Sequence, residues 1–485
     1  MCNWKPRVLL ASWIAVFGFS LLAASRVEAI PAFARKYDMD CSHCHVMAPK
    51  LNKVGNKFHD NFTLKEAVAD LSEEMRDRIK SEDPEDIHPA YWPVSIRVAG
   101  GYQYNKRDNQ ATDNGLETIT TRTFALTRFE ILAGGLFTPG ISYYLTYYPE
   151  ALNVGLPGQP PVHAHPGATS GTAQVGALGF AWVRFADIFG QFSEAEDHPH
   201  DDAAADEHPH DAEAEQKHEH GQDLIFGSHE LHLTLSGHHR LTNAPYLAYR
   251  YDPRFSLNSS EGFQLDAPQL GASLDGATPW FGYAVSVYNG TTSSADDNRA
   301  LDVFATVTQE FGDQRFGVFG VRGMAPTSFV TTGGGTTPIA GTGKDNAAFY
   351  RFGADADLNF GPFNLMLFAL YGQDDKDLFG TSSATQDAKY YSGFIEGDYM
   401  LESTRTIVLG RYDLIRNLEQ GISTNPKQRG DADALTLAVR RDLVLTSRVN
   451  LQFQLEANTM RTKATALGDN DQTSNTVFAG LDWSF

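Results

Sequence analysis

The residues best placed for chemistry are Cys41, Cys44 and His45, in the run Cys41-Ser42-His43-Cys44-His45. Two thiols separated by two residues and followed at once by an imidazole form the pattern of covalent c-type haem attachment. The spacing serves the chemistry. Each thiol adds to one haem vinyl group as a thioether, and the adjacent imidazole reaches the iron from one face. One covalent haem c is therefore expected, with Cys41 and Cys44 as its anchors and His45 as the iron ligand. Other chemistries use similar residues. A dithiol redox pair would want a βαβ setting, which the neighbouring pattern lacks. A zinc site would want a second ligand pair at suitable spacing. On the far face of the ring the candidates are His59, Met75, His88 or no protein ligand at all; Met47 is too close in sequence to cross it.

These residues need elements to hold them. From Lys50 to Phe62, Leu51, Val54, Phe58 and Phe62 recur at helical spacing. A second helix is expected from Thr63, where Glu66 completes a capping box and Leu64, Val68, Leu71, Met75 and Ile79 form one stripe. His59 falls off the first stripe, and Met75 sits on the second. Residues 30–93 are thus expected to form a small α-helical haem domain. Residues 1–29 read as a signal peptide, with Lys5 and Arg7, an uncharged run from Val8 to Ala24, and small residues at Val27-Glu28-Ala29. An uncleaved anchor helix is the alternative. Cleavage would remove Cys2 and leave only the motif's two cysteines. Export also fits haem attachment, which occurs outside the cytoplasm.

From about Val94 the period changes to two. Val449, Leu451, Phe453, Leu455 and Ala457 alternate with polar residues, as do Leu301, Val303, Ala305 and Val307, where Phe304 breaks the pattern. Phe363, Leu365, Leu367, Ala369 and Tyr371 behave alike. The last nine residues, Val477 to Phe485, place an apolar side chain at every odd position and end on an aromatic. That ending resembles the closing strand of bacterial outer-membrane barrels. Sixteen strands can be placed between 94–105 and 474–485, including 223–236 and 263–274. An even number is what a single-chain bacterial barrel requires. The links Thr138-Pro139-Gly140, Gly312-Asp313-Gln314, Gly361-Pro362 and Glu402-Ser403 read as short periplasmic turns, and stretches such as Pro326 to Asn346 as long outer loops. The expected fold is therefore mainly β: a 16-stranded antiparallel transmembrane barrel over 94–485, preceded by the small helical haem domain, in the bacterial outer membrane. Arg351, Asp355, Asp357, Arg440 and Glu456 are expected to face its lumen.

The formal net charge of −21 opposes nucleic-acid binding, which needs clustered cations. Much of it is local. Residues 191–222 hold 11 Asp and Glu against one Lys, together with His198, His200, His208, His210, His218 and His220. This composition cannot bury a core, so a disordered insert is expected, with metal binding or a plain solvated spacer as its role. Strand parity puts it on the periplasmic side.

The stretch Ile30-Pro31-Ala32-Phe33-Ala34-Arg35-Lys36-Tyr37, followed by Cys41-Ser42-His43-Cys44-His45 and a barrel, resembles the fused outer-membrane cytochrome–porins of iron-oxidising bacteria. The resemblance is detailed over fewer than 20 residues and architectural beyond them, and the His-rich insert departs from it. It implies an electron conduit. The donor would be extracellular Fe(II) or another reductant, and the acceptor a periplasmic carrier, a soluble cytochrome or a cupredoxin. Outer-membrane lipid would surround the barrel. Electron tunnelling weakens exponentially with distance, so a single haem is expected inside the lumen or at its mouth. Three alternatives stand beside this: a solute-selective porin with a haem-bearing plug or sensor, a conduit running outward to an external acceptor, and metal uptake or efflux through the insert.

Overall fold

Alternation governs the chain from Val94 onward. In Thr406–Glu419, Ile407, Leu409, Arg411, Asp413 and Ile415 are buried while Val408, Tyr412 and Leu418 are exposed. A period of two puts successive side chains on opposite faces of a strand. The computed structural model describes residues 41–61, 94–112, 115–138, 140–148, 177–186, 188, 222–233, 240–254, 263–278, 280–289, 300–326, 329–332, 335–338, 346–379, 386–419, 431–445, 449–463 and 471–484.

The described chain opens with a hairpin of two short strands, β1 (His45–Met47) and β2 (Lys50–Leu51), and a helix, α1 (Lys53–Asn61). Then come β3 (Val94–Thr112), β4 (Gly115–Thr138), β5 (Ile141–Tyr148), β6 (Ala177–Phe185) and β7 (Asp223–His229). A single-turn helix, α2 (Leu247–Arg250), separates these from β8 (Gln269–Ala277), β9 (Gly282–Tyr288), β10 (Asp302–Phe311) and β11 (Gln314–Pro326). A small hairpin, β12 (Phe329–Thr332) and β13 (Gly335–Pro338), precedes β14 (Asn346–Phe360), β15 (Phe363–Asp374) and β16 (Ala388–Leu401). The chain closes with β17 (Thr406–Glu419), β18 (Ala432–Leu445), β19 (Asn450–Thr462) and β20 (Gln472–Ser484).

Apart from β1, β2, β12 and β13, every strand pairs antiparallel with its neighbour in the chain, and β20 pairs with β3 to close a barrel of sixteen strands. Each expected strand has its counterpart. Closure satisfies the backbone groups that an open sheet edge would leave bare. The outward face carries Val303, Val307, Val318, Ile395, Val408, Leu435, Leu437 and Leu455, all exposed. An apolar exterior on a closed barrel is a surface for hydrocarbon, and the protein is an outer-membrane barrel.

The two mouths differ. Turns at one mouth are short, and Gly140 (φ 83°), Gly312 (φ 62°) and Gly361 (φ 62°) adopt the left-handed backbone that tight turns demand. The chain enters β3 and leaves β20 at this mouth. The link holding the acidic insert also starts and ends there: the Ala186 N–H donates to Gly140 O and the Ile188 N–H to Gln222 O, both at 2.8 Å. The insert itself lies outside the described residues.

One expectation needs correction. The segments 223–236 and 263–274 read as strands, yet β7 stops at His229 and β8 starts at Gln269. The chain between them turns into the lumen. Leu231, Leu233, Tyr246, Leu247, Tyr249, Tyr251, Phe263 and Leu265 are buried there against Phe304, Phe319, Phe349, Met366, Phe368 and Phe394 of the wall. Alternating apolar residues at its ends imitate a strand because they too have one buried side. The loop also accounts for Phe304, the exception in β10: it faces inward, is fully buried and stacks on Phe319 with ring centroids 6.3 Å apart. The N-terminal module is described in part. Its described part holds one helix of nine residues and a short hairpin, and it packs inside the barrel. The expected second helix, with Met75, and His88 lie outside the described residues.

Candidate functional site

Cys41–His43 forms a single 3-10 turn and His45 starts β1. Cys41 is buried and Cys44 and His45 are half-buried. Pro49 O, which can only accept, takes a hydrogen bond from His45 Nδ1 at 3.1 Å. The lone pair of His45 is thereby placed on Nε2, the usual way an imidazole is oriented for a metal. Two thiols and one such imidazole within five residues suit a covalently held haem.

Asn52, which drew no attention in the sequence, organises this turn. Its Nδ2 donates to the carbonyls of Ser42 (3.2 Å) and His43 (3.0 Å), and its backbone N–H to Cys44 O at 2.9 Å. Its Oδ1 accepts the Gly55 N–H at 2.9 Å, which caps α1. Gly55 is required by contact: a Cβ there would lie 2.0 Å from Cys44 O. Val54 and Phe58 are buried on one face of α1, as their spacing predicts. An Asn followed three positions later by Gly is the sequence signal that marks this cap.

The motif segment is seated on the inner wall near the short-turn mouth. Lys50 Nζ reaches Asp398 Oδ2 at 2.5 Å and Asn364 Oδ1 at 2.7 Å, and its side chain is 3% exposed. Asn364 and Asp398 are cross-strand partners on β15 and β16, close to the ends of those strands at the short turns. Met47, 1% exposed, packs with Met400, Ile407, Leu409 and Ala438 of the wall and with Leu241 of the lumen loop. The loop thus enters from the long-loop mouth, descends, and touches the N-terminal segment.

Charged groups tie the loop to the wall. Arg411 bonds Asp413 at 2.8 Å, Glu396 at 3.4 Å and the loop carbonyls of Ala244 and Pro245, with its guanidinium 4.2 Å from the centre of the Tyr246 ring. Glu456 accepts the backbone N–H groups of Asn243 (2.6 Å) and Ala244 (2.7 Å). Arg440 and Arg97 share Asp482. Nearer the long-loop mouth, Arg254 pairs with Asp252 at 2.6 Å, and Arg351 with Asp374. Arg351, Asp355, Asp357, Arg440 and Glu456 all face inward as expected, and all are buried. Buried charges persist only when paired. On Asp252, burial acts to raise the pKa, but Arg254 and then Arg351 outweigh it and hold the carboxyl below its ordinary value.

No family model and no curated protein matches the chain. Solved structures similar to it include an anion-selective porin from Comamonas acidovorans, at 12% identity over 81% of this chain and 99% of that one, TM-score 0.45. OmpT of Vibrio cholerae is similar at 10% identity over 81% and 97%, TM-score 0.45. The outer membrane channel DcaP of Acinetobacter baumannii is similar at 11% identity over 81% and 96%, TM-score 0.45. The likeness is to the porin-like barrel alone, and none of these three is named as a cytochrome.

Proposed function

We propose that this protein is an outer-membrane electron conduit in which a single covalent haem c, held by Cys41, Cys44 and His45, sits in the lumen near the periplasmic mouth. The observation that carries the reading is the seating of the motif segment inside the wall through Lys50 and Met47. Haem c supplies a one-electron couple when bound. The chain's own residues do the rest. His45 presents Nε2 because Nδ1 is held by Pro49. Asn52 fixes the turn that sets the two thiols. The loop between β7 and β8 packs the lumen with Tyr246, Tyr249 and the wall aromatics, which excludes water and bulk solute from the path. A lumen position shortens the path from an extracellular donor, of which Fe(II) is the expected class, across an apolar band of roughly 25 Å. A periplasmic carrier, a soluble cytochrome or a cupredoxin, would take the electron at the short-turn mouth.

The test is spectro-electrochemistry of the full, haem-loaded chain with Fe(II) as titrant. Reduction by Fe(II), together with loss of covalent haem in Cys41→Ala and Cys44→Ala, is expected. Haem that stays oxidised in excess Fe(II) at the working pH would overturn the donor assignment. A second reading is a solute-selective porin plugged by its N-terminal segment. It is favoured by the porin-like barrel and by the inward rows of paired charge around Arg411, Arg97 and Arg440. Steady single-channel conductance with solute selectivity in the intact protein would favour it over the conduit.

A further inference from the structure

A second group of ligand-type side chains lies away from the cysteine motif, where β7 and β9 end at the long-loop mouth. His229 and Tyr288 are each 2% exposed and face the lumen. Gly227 O accepts from His229 Nδ1 at 3.1 Å, so the lone pair of His229 is on Nε2. Tyr288 Oη lies 3.3 Å from that nitrogen. Gly227 is itself fixed by contact, since a Cβ there would stand 2.1 Å from Ala181 O. One residue into the lumen loop beyond Glu230 and Leu231 comes His232, whose ring centroid is 5.9 Å from that of His229. His232 Nε2 is buried and has no hydrogen-bond partner.

A plain packing role explains His229 and Tyr288 but leaves His232 Nε2 unexplained. A buried polar nitrogen without a partner is costly and rare. A shared ligand resolves it. With each nitrogen about 2.1 Å from an ion, two imidazoles on one ion place their ring centroids about 5 to 6 Å apart. The observed separation falls in that interval. Two imidazole nitrogens and a phenolic oxygen form a donor set suited to divalent first-row transition metals rather than to calcium or magnesium. The nearby cation Arg184 is paired with both Asp223 and Asp275, which mutes its repulsion.

We infer that His229, His232 and Tyr288 form a site for one divalent first-row transition-metal ion in the lumen, at its outer end. The site goes beyond the conduit reading and does not depend on haem. The test uses zinc alone, counted by mass spectrometry after dialysis of the full chain in detergent. Because the insert carries histidines of its own, the reference protein has His198, His200, His208, His210, His218 and His220 replaced by Gln. That protein is expected to retain one zinc per chain, and His229→Gln or His232→Gln in the same background to lose it, with affinity at least tenfold lower. Tyr288→Phe is expected to bind more weakly while keeping the stoichiometry. Heat-modifiability on gels confirms that each variant is a folded barrel. Absence of bound zinc in the reference protein overturns the site even if the histidine variants fail to fold. So does unchanged binding in a folded His232→Gln protein. Neither outcome bears on whether Fe(II) reduces the haem-loaded chain.

Discussion

Lys50 takes its charge into the barrel wall, and the consequences of that decide how firmly the motif segment is held. Its ion pair with Asp398 is almost wholly shielded from solvent. Removing one partner of such a pair strands the other as an unpaired buried charge, at about 3–5 kcal/mol. Lys50→Met should therefore lower the stability of the detergent-folded protein by that order, read from the denaturant midpoint. The double variant Lys50→Met with Asp398→Leu should recover most of it, since an apolar pair of similar volume is often neutral. A midpoint unmoved by Lys50→Met would mean that the segment is not seated as described. Asn52 makes a second prediction at this scale. Asn52→Ala removes a helix cap worth about 1 kcal/mol and frees the carbonyls of Ser42 and His43. Faster amide exchange over residues 41–56 than in the parent protein is expected. Cys41, Cys44 and His45 stand out in the sequence because their spacing is itself the chemistry. Lys50 and Asn52 do not, because their partners on β15, β16 and the motif turn are set by the fold.

The lumen loop is the element whose behaviour differs most from its pattern. Phe368 stacks on Phe394 and Phe319 and meets Tyr249 edge-on at 4.8 Å. Phe368→Ala should cost about 3–5 kcal/mol, chiefly by loosening the loop, and the loop's amides should then exchange faster than those of the strands. Acid should act on the same element. Asp252 is held by Arg254 below its ordinary pKa of 3.8. A carboxyl depressed in the folded state contributes stability above its unfolded value and loses it as pH falls through the folded one. Loop protection should therefore persist to about pH 4 and fade below it, and Asp252→Asn should abolish that dependence. The strands could be read from sequence because one face meets lipid and the other the lumen. Leu231, Leu233 and Leu265 mislead for the same reason, each lying at a buried position between polar neighbours in the sequence. The clue lay on the wall: Phe304, Phe319, Phe349, Met366, Phe368 and Phe394 are large apolar residues at lumen positions, where an open water-filled barrel would place polar ones.

The whole molecule is a barrel filled from both mouths, by the N-terminal segment from the short-turn side and by the loop from the other, meeting at Met47 and Leu241. In planar bilayers the intact protein should conduct far less than an open barrel of sixteen strands, and replacing residues 240–254 by a short Gly/Ser link should raise conductance several-fold. Large steady openings of the intact protein would refute a filled lumen. The position of Cys41 adds a constraint on timing. It is only 5% exposed, its segment lies shortly before the seam strand β3, and that seam is completed by β20, the last strand of the chain. An enzyme that modifies a thiol must approach it closely, and no enzyme fits inside a closed barrel. Any covalent chemistry at Cys41 must then finish while the polypeptide is still an unassembled periplasmic intermediate. Under the proposed haem attachment, maturation would be ordered: the thiol dressed first, and the wall joined around it afterwards.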